Sequence, residues 1–151
     1  MLRYENANDS DAEILTEMAF TSKQHWGYSD AQMESWRSDL TVTKDYIAKN
    51  EVVKIYHANE LIGFYSILDG EPAEVDHLWL LPNFIRRGFG VVIFNAIRES
   101  VANRGQLVFH LVAEPHAKGF YDRMGGIVIR SFESKIPGRF LEVYEFATHP
   151  E

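Results

Sequence analysis

Apolar residues recur at two different spacings along this chain, and the switches between them mark its elements. Leu2 to Asn6 reads as a short strand, and Asn8, Asp9 and Ser10 supply caps for a helix through about Ser22. On that segment Ile14, Leu15 and Met18 fall at helical spacing. His25-Trp26-Gly27-Tyr28 breaks the pattern, Ser29 caps a second helix to about Leu40, and Thr43 caps a short turn through Lys49. Val52–Tyr56 and Leu61–Tyr65 are β-rich runs separated by Ala58-Asn59-Glu60, which predicts a hairpin. A third run spans Ala73 to Leu81, and Pro82 ends it. Arg87-Gly88-Phe89-Gly90 leads into a helix through about Asn103, with Ile93, Phe94, Ile97 and Val101 on one face. Leu107 to Ala113 forms another strand, His116 to Met124 a short helix ended by Gly125-Gly126. Ile127–Phe132 and Phe140–Phe146 close the chain as a strand pair around Pro137-Gly138. Strands alternate with helices in the middle and pair with each other at both ends. That order predicts an α/β (α+β) fold, a mixed sheet with helices on both faces.

Composition narrows the function more than the fold. At 151 residues, with 46% hydrophobic and 25% charged positions, the chain is expected to form a single folded domain over residues 1–151. It has no cysteine, which excludes disulfides, thiolate metal sites and a cysteine acyl-enzyme. Glu5, Asp9, Asp11, Glu13 and Glu17 exclude a targeting segment at the start. No apolar run reaches the roughly 18 residues of a membrane span, so the expected location is cytoplasmic, with no membrane partner. The net charge of −7 comes without a basic stripe, which argues against nucleic acid and weakly favours a cationic small substrate. His57, His110 and His116 match no zinc spacing and read as structural, so no metal is expected.

The chemistry concentrates in a strand, a proline, a glycine-rich turn and a helix: Leu78-Trp79-Leu80-Leu81-Pro82, then Arg86-Arg87-Gly88-Phe89-Gly90. Glycines at such a turn let backbone N–H groups converge on an anion, and the helix adds the positive end of its dipole. Arg86 and Arg87 add charge beside it, so a diphosphate suits the turn. A P-loop is excluded because Gly-x-x-x-x-Gly-Lys-Ser/Thr is absent. The dinucleotide fingerprint fails because its third glycine position is Ile93.

A second signal lies downstream at Ala117, Phe120, Tyr121 and Gly125. Together the two resemble the GNAT superfamily of N-acetyltransferases: Leu80-Leu81-Pro82 with Arg87-Gly88-Phe89-Gly90 looks like its acetyl-CoA motif, and Ala117-x-x-Phe-Tyr-x-x-x-Gly like its second motif. Leu61-Ile62-Gly63-Phe64 is similar to its central hairpin strand. The resemblance implies a largely antiparallel central sheet and acetyl-CoA as cosubstrate. The cofactor would lie on Leu80, Leu81, Arg86, Arg87, Gly88, Phe89, Gly90, Val91, Val92, Glu114, Ala117, Phe120 and Tyr121. Ile85 departs from the usual Gln or Arg at the head of the first motif, and Glu114 from a common asparagine near the second.

The implied reaction is acetyl transfer to a primary amine of a small molecule, amino acid or peptide, by direct attack in a ternary complex. A backbone N–H near Leu80 or Leu81 would polarise the thioester carbonyl. Tyr121 would protonate the departing thiolate. Glu74 or Asp76, on one face of the strand before the turn, would take the amine's proton; His77 points the other way with Trp79. The acceptor side is expected at His25, Trp26, Tyr28 and Trp36, which either wall in a cation or pack down on the sheet, and at Ser134, Lys135 and Arg139. A CoA-binding sensor, an inactive relative, or an acyltransferase for a longer chain are the alternatives. A two-fold homodimer is the default assembly.

Overall fold

The computed structural model describes residues 1–150. Seven strands form a mostly antiparallel open sheet in the order β1-β2-β3-β4-β5-β7-β6, with β4 and β5 running parallel. The residues gather into two compact units, the first Met1–Asp69 with His77–Arg87, the second Gly70–Asp76 with the chain from Gly88 onward.

The first unit holds β1 (Leu2–Asn6), α1 (Ala12–Gln24), α2 (Asp30–Ser35), α3 (Arg37–Leu40), α4 (Lys44–Lys49), β2 (Glu51–His57), β3 (Glu60–Leu68) and the second half of β4 (Ala73–Leu80). Its helix starts follow the polar caps in the sequence. Asn8 and Asp11 close a capping box on the 3₁₀ turn before α1, Ser29 and Gln32 do the same for α2, and the Thr43 hydroxyl accepts from the Tyr46 amide at α4. Leu15, Met18, Ala19 and Ser22 form the buried stripe of α1, whereas Ile14 is 46% exposed and stands off it. The helix expected from Ser29 to Leu40 is interrupted at Trp36, whose ring is buried and whose backbone leaves helical geometry.

The β2–β3 hairpin turns on only two residues, Ala58 and Asn59, both left-handed at φ 50 and 70°, because Glu60 already pairs with His57. Further along β3, a Cβ on Gly63 would stand 2.1 Å from the Trp79 carbonyl oxygen, so β3 and β4 approach here only because residue 63 is glycine. Lys54 is buried, and ion pairs to Glu5 (3.2 Å) and Asp11 (3.1 Å) compensate its charge.

The second unit holds the first half of β4, α5 (Phe89–Asn103), β5 (Val108–Val112), α6 (Lys118–Arg123), β6 (Ile127–Glu133) and β7 (Phe140–Ala147). Ile93, Phe94, Ile97 and Val101 are fully buried, as their spacing predicts. They meet an aromatic core in which Phe94 lies 4.7 Å from Phe146 and Phe109 stacks on Phe146 at 5.3 Å. Arg98 is buried in this core and donates to the carbonyls of Ala147 and Met124, tying α5 to the ends of β7 and α6. Among the described residues no helix is long and apolar enough to cross a membrane.

Candidate active site

The glycine-rich turn builds an unusual helix start. Gly88 is the N-cap of α5 at φ 85°, and Arg86, two residues earlier, is also left-handed at φ 61°. The first four amides of any α-helix lack intrahelical partners. No side chain caps those of α5. The first-turn amides of Gly90 and Val91 therefore have no intrahelical partner or side-chain cap at the positive end of a 15-residue helix, where an anion is favoured. Arg87 stacks on Phe84 (5.2 Å) and donates weakly to the Asn83 carbonyl at 3.5 Å. Ile85 is extended, with its amide toward Pro82.

Phe120 joins the two sequence motifs physically. A Cβ on Gly90 would lie 3.1 Å from its ring, so the second motif packs directly on the second glycine of the first. Ala117 ends a 3₁₀ turn and opens α6, which carries Phe120 and Tyr121 into the core.

Tyr121 is 7% exposed, with its ring against Phe94, Phe120, Tyr144 and Phe146 at 5.5–6.2 Å. Among the described residues nothing hydrogen-bonds its hydroxyl. Burial, and secondarily the charge of Glu114, raise the phenol's pKa well above its ordinary value, so it keeps its proton at neutral pH. Glu114 itself lies 2.8 Å from His116 Nδ1. His110 Nε2 likewise sits 3.0 Å from Glu145 Oε2. Both histidines thus have carboxylate partners, and neither stands alone.

The two amides considered for the carbonyl of the thioester now separate. The Leu81 N–H donates to the Ile62 carbonyl at 2.8 Å, which corrects the expectation that it is free. Alternate amides of a strand point to opposite edges, so the Leu80 N–H faces away from β3.

The acids of β4 separate as well. Glu74 is half-buried and its pKa is raised, first by burial and then by Asp76, while Arg130 and His110 pull it back down. Asp76 is exposed. His77 lies on the opposite face, as alternation requires, and is taken up structurally. Its Nδ1 accepts from Trp79 Nε1 at 2.9 Å, and its amide donates to Ser66 Oγ, which Tyr46 Oη also meets at 2.7 Å.

On the expected acceptor side, Tyr28 and Trp36 meet edge to face at 4.7 Å. The Lys23 ammonium already stands over them, 4.1 Å from the Trp36 ring centre, 5.3 Å from Tyr28 and 6.0 Å from Trp79. The aromatic wall therefore holds a cation of the protein itself, and Trp36 packs down as the alternative had it. His25 and Trp26 pair with each other at 5.0 Å. Arg139 sits at the tip of the β6–β7 hairpin, where its carbonyl accepts from the Ser134 amide at 2.7 Å and its amide donates to Ile136 at 3.1 Å.

Sequence reasoning missed Lys23 beside the aromatics, and His110, Arg130 and Glu145 beside Glu74. For the last group one signal existed: His110 alternates with Phe109 and Leu111, which are buried, so its side chain had to leave the core. Which strand stands opposite it was not in the pattern.

Comparison with known proteins follows from this geometry. The model of the acetyltransferase (GNAT) domain matches residues 10–133. No curated protein matches the chain in sequence. Among solved structures, the PaiA N-acetyltransferase of Thermoplasma acidophilum, in complex with coenzyme A, superimposes with a TM-score of 0.76 at 20% identity, covering 97% of this chain and 99% of that one. An aminoglycoside 6′-N-acetyltransferase complexed with coenzyme A gives 0.69 at 12% identity, with 99% and 98% covered. The ribosomal-protein-alanine N-acetyltransferase of Escherichia coli gives 0.72 at 11% identity, with 100% and 96% covered. At such identities the likeness is one of fold.

Proposed function

Because this chain belongs to the GNAT acetyltransferase family, we propose that it transfers an acetyl group from acetyl-CoA to a primary amine, by direct attack within a ternary complex. The observation that carries the reading is the start of α5, a 15-residue helix that opens on a left-handed glycine with no side-chain cap. A helix start without a side-chain cap, the helix dipole and two neighbouring arginines, Arg86 and Arg87, suit a diphosphate and suit little else in an acidic protein. A Cβ at Gly88 would meet open space, and one at Gly90 the Phe120 ring, so substitution at either is expected to disturb a ligand's approach to this turn. Both units are read as parts of one catalytic domain.

The roles then divide by chemistry. The Leu80 N–H, rather than that of Leu81, stabilises the oxyanion formed when the amine adds to the thioester. Glu74, rather than the exposed Asp76, takes by relay through water the proton that the ammonium must lose before its nitrogen has a lone pair to donate, since it stands six strand residues before Leu80. Its raised pKa brings it nearer to neutrality, where a base both binds and releases protons efficiently. Tyr121 supplies the proton that the departing thiolate needs. A phenol raised above its ordinary value is a reluctant donor, but burial raises the basicity of a thiolate in the same way, so transfer is not blocked. Glu114 turns toward His116 and acts on Tyr121 through its charge.

The acceptor is an amino acid, a peptide terminus or another small amine. A fixed cation at Lys23 and the hairpin cation Arg139 each suit an acceptor that also carries a carboxylate. The test is a panel of amines incubated with acetyl-CoA, with thiol release as the readout. Amine-dependent release is expected. Binding of acetyl-CoA without release to any amine contradicts the proposal and makes the chain a CoA-binding sensor. Faster release from a longer acyl-CoA makes it a different acyltransferase. The expected location in the cytoplasm is a further proposal, tested by fractionation.

A further inference from the structure

The helix that carries Tyr121 cannot hold itself in place. α6 has six residues, far below the length at which a helix is stable alone in water, so its surroundings fix its position. At its C-terminus the chain closes on itself. Gly125 is left-handed at φ 87°, its amide donates to the Asp122 carbonyl at 3.1 Å, and the Gly126 amide donates to the Tyr121 carbonyl at 3.0 Å. This glycine-ended closure satisfies carbonyls one turn back and leaves that of Met124, the C-cap, to be met from elsewhere. Arg98 of α5 meets it: one guanidinium nitrogen donates to the Met124 carbonyl and another to that of Ala147, at the end of β7. The same guanidinium stands 5.1 Å from the centre of the Phe94 ring and 5.9 Å from that of Phe146. Those two rings pack on Tyr121 at 6.2 and 6.1 Å.

An arginine is a costly choice for this place. It is buried, and among the described residues no carboxylate pairs with it and its Nε has no hydrogen-bond partner. A buried charge is often no better for stability than an apolar side chain of similar volume. What an apolar side chain could not do is bind carbonyls of two different elements at once, which the planar fork of a guanidinium does. Two side chains of α6 also reach β7, Lys118 toward Glu142 and Asp122 to the Tyr144 hydroxyl. Arg98 differs from both in binding the backbone of the helix end itself.

Resting on the reading of Tyr121 as the acid, we propose that Arg98 is a positioning residue, which holds the end of α6 and the Phe94 and Phe146 rings so that the Tyr121 hydroxyl meets the departing thiolate. In that step the phenol's O–H bond breaks and an S–H bond forms, and the phenolate left behind takes a proton back from water. Arg98 acts by placement alone. It lies more than two turns beyond Gly90 on α5, roughly 12 Å along the helix at about 1.5 Å per residue, so its loss leaves the first turn of α5 in place.

Two variants and one double variant test this. Arg98→Met removes the donors and keeps an unbranched side chain, whereas Arg98→Lys keeps the charge and can reach one carbonyl. In Arg98→Met kcat should fall between about 10- and 10²-fold, the loss that a misplacement of about 1 Å brings, while acetyl-CoA affinity in calorimetry holds. Arg98→Lys should recover part of that loss. The decisive comparison repeats Arg98→Met in the Tyr121→Phe background. An arginine that acts through the phenol costs nothing further once the hydroxyl is gone. A merely structural arginine lowers kcat by the same factor in both backgrounds, and that result overturns the inference while Tyr121 remains the acid. A wild-type kcat in Arg98→Met overturns it as well. Should Arg98→Met fail to fold, the same cycle is read with Arg98→Lys, where a wild-type kcat counts against the inference. If Tyr121→Phe alone keeps the wild-type rate, the acid reading itself fails, and the positioning role fails with it.

Discussion

Two helix starts in this molecule solve the same problem in opposite ways. At α2 the Ser29 hydroxyl accepts from the Gln32 amide while the Gln32 side chain returns to the Ser29 amide, so two orphan donors are satisfied within four residues. At α5 the cap is Gly88, which has no side chain to offer, and no side chain caps the first turn. A glycine cap costs only a few tenths of a kcal/mol, roughly, against a Ser cap. The sequence caps α2, α4 and the entry to α1 with side chains and leaves its longest helix without one, which is the contrast on which the proposed diphosphate site rests. The same contrast recurs between two neighbouring tyrosines. Tyr144 and Tyr121 lie 5.9 Å apart in one core, but the Tyr144 hydroxyl donates to Asp122 Oδ1 at 2.8 Å, whereas that of Tyr121 has no protein partner among the described residues. The Tyr144 hydroxyl is satisfied within the fold, and the proposal gives the Tyr121 hydroxyl its use in the chemistry.

Each side of the contrast can be broken separately. The largest effect is expected from Gly90→Val, which puts side-chain atoms against the Phe120 ring at the first turn of α5. It should abolish acetyl-CoA binding in calorimetry and lower the melting temperature as well. Next comes Tyr121→Phe. Turnover should fall roughly 10²-fold while acetyl-CoA affinity and stability hold, because the lost hydroxyl makes no internal bond. Wild-type single-turnover rates would reduce Tyr121 to packing. Its counterpart, Tyr144→Phe, should do the reverse: a loss of about 1–3 kcal/mol in denaturant unfolding, since Asp122 is left unpaired, with kcat near wild type. The smallest effect belongs to Ser29→Ala, about 1 kcal/mol of stability and no change in cofactor affinity. A change in affinity there would mean that helix caps do not separate structure from function as described.

The sequence made the fold legible where local rules govern it. Asn8, Ser29 and Thr43 cap the helices their positions predict, and the α5 stripe at Ile93, Phe94, Ile97 and Val101 is buried throughout. It failed where tertiary packing overrides a local pattern. Ile14 sits at helical spacing yet faces outward, because the buried stripe of α1 centres one residue later, on Leu15, Met18 and Ala19. Trp36 buries its ring and breaks a helix that propensity alone would continue. The glycine-rich turn was readable because glycine spacing is local chemistry, and the different surroundings of Glu74 and Asp76 were not, because they depend on β5 and β6. Likewise the bond from the Leu81 amide to Ile62, and the Lys23 ammonium over Trp36, join residues 13 to 19 positions apart whose meeting no periodicity encodes.

The most direct test of the central claim is a calorimetric titration of acetyl-CoA into the wild-type protein and Gly88→Val. Gly88 is the cleaner position, because a Cβ there meets no protein atom within 4 Å, so any loss of binding reflects the ligand's approach and the left-handed backbone rather than a damaged core. The account predicts saturable binding to the wild type and none to the variant, with both folded by melting temperature. Equal affinity in the two proteins, or no binding to the wild type, would contradict it.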